Sequence, residues 1–94
     1  MNNFPRINVS FKPDVLLEEL NDEAVLLNLE DELYFGLDDV GLRFWQLLQE
    51  HKNSQDVINH FLQEYSVNEA EAQKDLAKLI LELDGAGLLS IDQN

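Results

Sequence analysis

The spacing of apolar residues changes at Asp38, and this change constrains the fold more than any other feature of the chain. Three segments before Asp38 have the composition and alternation typical of β-strands: residues 14–20, 23–29 and 33–37. Tight turns are predicted between them, at Asn21-Asp22 and at Glu30-Asp31-Glu32. Both faces of these strands are partly apolar, which predicts an antiparallel meander covered by helices.

Three helices are predicted after Asp38. Each begins at a side chain that is suited to cap a helix N-terminus: Asp38, Ser54 and Asn68. The first helix is expected to end near Glu50, and the third near Asp84, because Gly85 and Gly87 supply a stop signal. Residues 88–91 are expected to return as a short extended segment.

These elements predict one domain of the α+β class. The predicted architecture is a three-stranded antiparallel sheet followed by three helices, in a winged helix-turn-helix-like arrangement. Residues 14–91 form this domain, and residues 1–13 are predicted to be a flexible lead-in because Pro5 and Pro13 interrupt regular structure. A chain of 94 residues is long enough for one modest core.

The third predicted helix is apolar on two sides. One stripe is expected to pack in the core: Ala72, Leu76, Leu79, Ile80 and Leu83. Ala77 and Leu81 fall on nearly the opposite side, between Lys74 and Lys78. This second side is compatible with a further core contact, an oligomer contact or part of a binding groove.

The charge of the chain is strongly negative. It has 19 acidic residues against six lysines and arginines, a formal net charge of −13. Such a charge repels nucleic acid and anionic membranes and favours a partner with a basic segment, although it also serves solubility. The chain contains no cysteine, and its N-terminus lacks the pattern of a secretory signal, so a cytoplasmic protein is the simplest interpretation.

The residue patterns on which catalysis depends are missing from the sequence. His51 and His60 stand in no recognised metal-binding pattern, and no serine lies in a nucleophile motif. Neither a glycine-rich phosphate loop nor a calcium-loop pattern occurs. The third helix, residues 68–84, has five acids against two lysines, which disfavours DNA binding. The sequence therefore predicts no enzyme, no cofactor and no metal.

The segment "AVLLNLEDELYFGLDDVGLRFWQLL" resembles the signature of the PqqD-like family, also called RiPP recognition elements. The residues that match the family pattern are Leu27, Asn28, Leu29, Tyr34, Phe35, Leu37, Asp38, Gly41, Phe44 and Trp45. The resemblance implies a module that binds the leader of a ribosomally made precursor peptide. It also implies a partner that modifies this peptide, often a radical SAM enzyme. The alternatives are a structural or oligomer-forming interaction module and, less favoured, a winged-helix DNA-binding protein.

The binding site is predicted where a peptide would add to the sheet. The leader is expected as a fourth antiparallel strand beside the third predicted strand, whose residues are Leu33, Tyr34, Phe35, Gly36 and Leu37. Its side chains are expected to enter a groove against the third helix, formed by Lys74, Ala77, Lys78 and Leu81. Phe35, Phe44 and Trp45 are expected to belong mainly to the core.

Overall fold

The computed structural model of the protein describes residues 4–92. In chain order the elements are β1 (Val9–Phe11), β2 (Val15–Leu20), β3 (Glu23–Asn28), β4 (Leu33–Leu37), α1 (Asp39–His51), α2 (Ser54–Glu64), α3 (Glu69–Gly85) and β5 (Leu89–Ile91). The predicted α+β class is confirmed, with a three-stranded antiparallel sheet followed by three helices. The return of the chain as a short strand after the third helix is also confirmed.

The three-stranded sheet consists of β2, β3 and β4, with β3 in the centre. Asn21 turns the chain between β2 and β3 with a φ of 60°, a left-handed conformation that asparagine tolerates better than most residues. On the inner face, Leu17, Leu26 and Phe35 lie in register across the strands. Leu26 is fully buried, because this face packs against α1.

The opposite face of this sheet, here called the outer face, differs from the prediction of a sheet covered by helices. Leu16, Leu27 and Tyr34 lie in register on it. Leu16 is 50% exposed and Tyr34 is 75% exposed. Within residues 4–92 the helices therefore cover the inner face alone.

Two of the three predicted helix caps are confirmed. Asp38 accepts a hydrogen bond from the Gly41 N–H at 2.7 Å, and Asn68 accepts one from the Glu71 N–H at 3.0 Å. The prediction of Ser54 as the second cap is wrong, because Asn53 caps α2 by accepting from the Asp56 N–H at 2.9 Å.

Ser54 is instead the first residue of α2 and is fully buried. Its hydroxyl accepts a hydrogen bond from the Ile7 N–H and donates one to the Pro5 carbonyl, both at 2.7 Å. These two bonds fasten the N-terminal segment to α2. They also give the buried Ser54 hydroxyl both a hydrogen-bond donor and an acceptor, as buried polar groups require.

The N-terminal segment also differs from the flexible lead-in predicted for residues 1–13. β1 pairs with β5 in a second, two-stranded antiparallel sheet, in which Val9 is opposite Ile91. Val9 is 2% exposed, and the Phe11 ring meets the Trp45 ring edge to face at a centroid distance of 5.0 Å. The segment is part of the folded domain, because its apolar side chains pack on the core and cover it. Residues 1–3 lie outside the described part of the chain.

The core is a single cluster of apolar side chains drawn from both sheets and all three helices. Phe44 and Trp45 are each 2% exposed, as expected for core residues. Four members of the predicted stripe of α3 are buried: Ala72, Leu76, Ile80 and Leu83. Leu79, the fifth, is only partly buried. None of the helices in residues 4–92 combines the length and the apolar character needed to cross a membrane.

Candidate functional site

β4 has an open edge. It pairs with β3 on one side, and no strand within residues 4–92 pairs with its other side. An unpaired edge displays backbone N–H and C=O groups, which an incoming extended chain can satisfy. Leu33 and Tyr34 are 54% and 75% exposed, whereas Leu37 is buried at the start of α1. The five strand residues predicted from the sequence thus lie along the free edge, which is most exposed at Leu33 and Tyr34.

A groove begins where β4 ends. Its volume is about 300 Å³. It lies between the start of α1 and the exposed side of α3, and its walls are Asp38, Val40, Gly41, Phe44, Asp75, Lys78, Leu79 and Glu82. Asp38 directly follows the last residue of β4, so the open edge leads into the groove. β2 is the other edge of the sheet, but β4 is the one that this groove adjoins.

Gly41 keeps the start of α1 close to the end of β4. A Cβ atom at Gly41 would lie 3.2 Å from Asp38 Oδ1 and 3.2 Å from Leu37 Cδ2, closer than side chains ordinarily pack. The Gly41 N–H is also the donor to the capping carboxylate of Asp38. The glycine therefore allows the cap, the strand end and the helix to meet at this wall of the groove.

The groove combines an apolar interior with a mainly acidic rim. Phe44 is buried beneath it, and Val40 and Leu79 are partly buried beside it. Asp38, Asp75 and Glu82 stand against a single base, Lys78. Such a lining suits an apolar side chain of a bound peptide, with polar or basic groups at its margin.

Of the four α3 residues predicted for the site, the structure brings only Lys78 into the groove. Lys74 and Leu81 are exposed, Leu81 by 62%, and Ala77 is partly buried. At 100° per residue, these three point roughly 115° around the helix from the groove residues of α3. They form a neighbouring face of the same helix.

Sequence reasoning missed three groove residues of α3: Asp75, Leu79 and Glu82. It also did not predict that the start of α1 forms the other wall of the groove. Asp75, Lys78, Leu79 and Glu82 follow the i, i+3, i+4, i+7 spacing of one helix face. That spacing was a usable signal. However, Leu79 also fits the core stripe, and only the packing of α1 leaves it at the border between core and groove.

The structure brings the two histidines together, an arrangement that no sequence pattern predicted. The rings of His51 and His60 stack with centroids 4.1 Å apart, and His51 Nε2 lies 3.9 Å from Glu50 Oε1. Within residues 4–92, no group of three or more histidine, aspartate or glutamate side chains is arranged to hold a metal ion. The pair joins α1 to α2 on a part of the protein that does not line the groove.

Comparison with known proteins identifies the family. A sequence profile described as "Coenzyme PQQ synthesis protein D (PqqD)" matches residues 23–89, more than half of the chain. The chain belongs to the PqqD family, as its resemblance to RiPP recognition elements predicted. No curated protein sequence matches the chain.

Two solved structures share the fold. The first, "TbiB1 in Complex with the TbiA(beta) Leader Peptide", is 34% identical, with a TM-score of 0.79 over 90% of this chain and 99% of that one. The second, "Lasso peptide synthetase B1 complexed with the leader peptide", is 24% identical, with a TM-score of 0.76 over 87% of this chain and 96% of that one. Both structures are complexes with a leader peptide.

Proposed function

We propose that this protein binds the leader segment of a ribosomally synthesised precursor peptide and presents the precursor to a modifying enzyme. The observation that carries the proposal is the open edge of β4, which leads into the groove between α1 and α3. The similarity to TbiB1, which was solved with a leader peptide, supports it. The protein's own part is recognition, with catalysis left to the enzyme partner.

The edge of β4 supplies affinity through the backbone. A leader that adds as a strand beside Leu33–Leu37 satisfies edge N–H and C=O groups, whatever the identity of its side chains. Alternate side chains of an added strand point to opposite faces of the sheet. Those on the inner side continue towards the groove at Asp38 and Gly41.

The groove supplies selection. Its apolar interior, at Val40, Phe44 and Leu79, accepts an apolar leader side chain, and Lys78 is placed to pair with a leader carboxylate. Lys74, Ala77 and Leu81 remain part of the proposed site as its outer margin, where leader residues beyond the groove would run along α3.

The enzyme partner is one that modifies the precursor, of which a radical SAM enzyme is one class. We place the encounter in the cytoplasm, because a ribosomal precursor is available there before export.

The test is a titration with the fluorescent synthetic TbiA(beta) leader, and with the leader of any short precursor found to be encoded beside this protein as a second probe. Leu79→Asp should weaken binding at least tenfold, because it buries a carboxylate among apolar groove atoms. Leu81→Asp places the same charge at an exposed position on the outer margin of the site and should weaken binding less than Leu79→Asp. The face predicted from sequence is the site if Leu81→Asp has the larger effect.

Two further measurements complete the test. Lys78→Glu should weaken binding more than Lys74→Glu, which makes the same charge change on the exposed side of α3 outside the groove. The Tyr34 and Phe35 amides should gain protection from hydrogen exchange in the presence of leader. Protection confined to α2, with β4 unchanged, would rule out the proposed strand addition.

A further inference from the structure

The outer face of the three-stranded sheet is an apolar surface that no element within residues 4–92 covers. Its apolar members are Leu16, Leu20, Val25, Leu27 and Tyr34, from all three strands. Leu16, Leu20 and Tyr34 are 50%, 60% and 75% exposed. Leu16, Val25, Leu27 and Tyr34 also line a shallow cavity of about 120 Å³. A contiguous exposed patch of this kind marks an interaction surface, whereas scattered apolar residues do not.

The charge around this face is predominantly negative. Residues 14–39 contain ten acidic residues and neither lysine nor arginine. Glu18 lines the cavity beside Leu16, and Glu23 is opposite Leu20 in the register of β2 and β3. The turns at the two ends of the sheet add Asp22 and the acidic run at 30–32. The complementary partner has an apolar centre surrounded by lysine or arginine.

The same charge argues against a second copy of this chain as the occupant. A symmetric contact between two outer faces would place the same patch of both copies against itself. Glu18 and Glu23 would then meet other acids, and residues 14–39 contain no lysine or arginine to pair with them. Like charges brought together across an interface oppose binding, so the face fits a different, basic protein.

The size of the face makes its rim important. Three strands of five or six residues present roughly 300 Å² between them, given strand spacing and rise. A stable protein interface buries roughly 800 Å² on each partner. A partner that docks here must therefore also contact the surrounding acidic residues, which makes its charge a condition for binding.

We propose that the outer face is the docking surface for the modifying enzyme, which contacts it through an apolar patch bordered by lysine and arginine. This inference rests on the proposed function. β4 belongs to both contacts, because its free edge receives the leader while the Tyr34 side chain stands on the outer face. The enzyme and the leader thus bind different sides of one strand and do not compete.

The test measures binding of the purified enzyme that modifies the precursor to the full chain without leader. Leu16→Ser removes apolar surface, and Glu18→Lys reverses the charge beside it. Both lie on β2, away from the free edge of β4. Each should weaken enzyme binding about tenfold or more while leaving leader affinity within about twofold.

Each variant has a matched control. Val67 is as exposed as Leu16, at 49% against 50%, but lies between α2 and α3, so Val67→Ser should leave enzyme binding within about twofold. Asp84→Lys makes the same charge change as Glu18→Lys, but in the last turn of α3, and it should likewise leave enzyme binding within about twofold. Circular dichroism and the melting temperature establish folding, and Glu18→Lys decides the matter if Leu16→Ser does not fold.

Two outcomes overturn the inference. One is enzyme binding that neither Leu16→Ser nor Glu18→Lys reduces. The other is a dimer in sedimentation of the wild-type chain that Leu16→Ser converts to a monomer, which would make the outer face a contact between copies. Failure of the wild-type chain to bind leader would overturn the proposed function instead, and the enzyme titration without leader would still decide the docking surface.

Discussion

Asn28 is the residue whose contacts bind the sheet to the end of α3. It is 5% exposed, and both the oxygen and the nitrogen of its side-chain amide form hydrogen bonds. Its oxygen accepts from the Glu30 N–H at 3.0 Å, which shapes the turn between β3 and β4. Its nitrogen donates to the Gly87 carbonyl at 3.2 Å. Gly87 has a φ of +74°, and a Cβ there would lie 3.0 Å from this nitrogen, so glycine suits the position on two grounds.

We expect Asn28→Leu to lower the free energy of unfolding by about 1–3 kcal/mol, because it removes the partners of a turn N–H and of the Gly87 carbonyl. Urea denaturation followed by circular dichroism measures this. Asn59→Leu, on the exposed side of α2, is the control and should change stability by less than about 0.5 kcal/mol. Equal midpoints for the two variants would show that Asn28 has no such linking role.

Among the helices, α1 and α2 are joined by a two-point ion pair. Arg43 Nε donates to Glu64 Oε1 at 2.7 Å, and a second guanidinium nitrogen donates to Glu64 Oε2 at 2.5 Å. Hydrogen bonding between the two side chains is the largest cause of two pKa shifts: it lowers the pKa of Glu64 and raises the pKa of Arg43. Beside it, the rings of Phe44 and Phe61 pack with centroids 4.3 Å apart, so charge and packing act at the same helix pair.

The lowered pKa of Glu64 predicts a pH dependence of stability. The ordinary pKa is 4.5, so the ion pair contributes fully above that pH and its contribution is lost as pH falls through the lower folded-state value. Glu64→Gln should therefore have a lower melting temperature than wild type at pH 6, and the difference should shrink as pH falls below about 4.5.

Arg43→Gln removes the same ion pair from the other side and serves as the control. It should reproduce the pH dependence of Glu64→Gln, and the double variant should show little further loss. A melting-temperature difference that stays constant from pH 6 to well below the ordinary carboxyl pKa of 4.5 would mean that the pair does not couple to stability.

At the scale of the whole molecule, the negative charge is distributed unevenly. All charged residues in the segment 14–39 are acidic, whereas four of the six bases lie beyond residue 42: Arg43, Lys52, Lys74 and Lys78. The sheet is consequently the most negative part of the protein. Lys78 makes the groove less negative locally, although acids still predominate on its rim.

We expect this charge to steer a leader that carries a basic segment. Exposed charges are screened beyond ~8 Å at physiological salt, so binding should weaken between low and moderate salt, mainly through a slower association rate. Stopped-flow fluorescence with the synthetic leader measures the rate directly. Glu18→Lys and Asp84→Lys make the net charge less negative by the same amount, so each should make the association rate less dependent on salt. An association rate that does not vary across this range excludes electrostatic steering.

Local features of the fold could be predicted from the sequence. The turn at Asn21, the caps at Asp38 and Asn68, and the order of the elements from β2 to β5 all appear where the sequence predicts them. These features depend on atoms within a few residues of one another, so the sequence contains most of their energetics. The edge strand Leu33–Leu37 belongs to the same class, since it follows from strand order in a meander.

Contacts between distant residues were decided by the tertiary structure. β1 pairs with β5 across about eighty residues of chain, and no local pattern in residues 1–13 indicates that partner. Ser54 has the chemistry of a cap, but burial against Ile7 and Pro5 redirects its hydroxyl and leaves the cap to Asn53. Leu79 fits the core stripe by spacing, and only the position of α1 makes it a groove residue. Periodicity shows which residues share a face, whereas packing determines what that face meets.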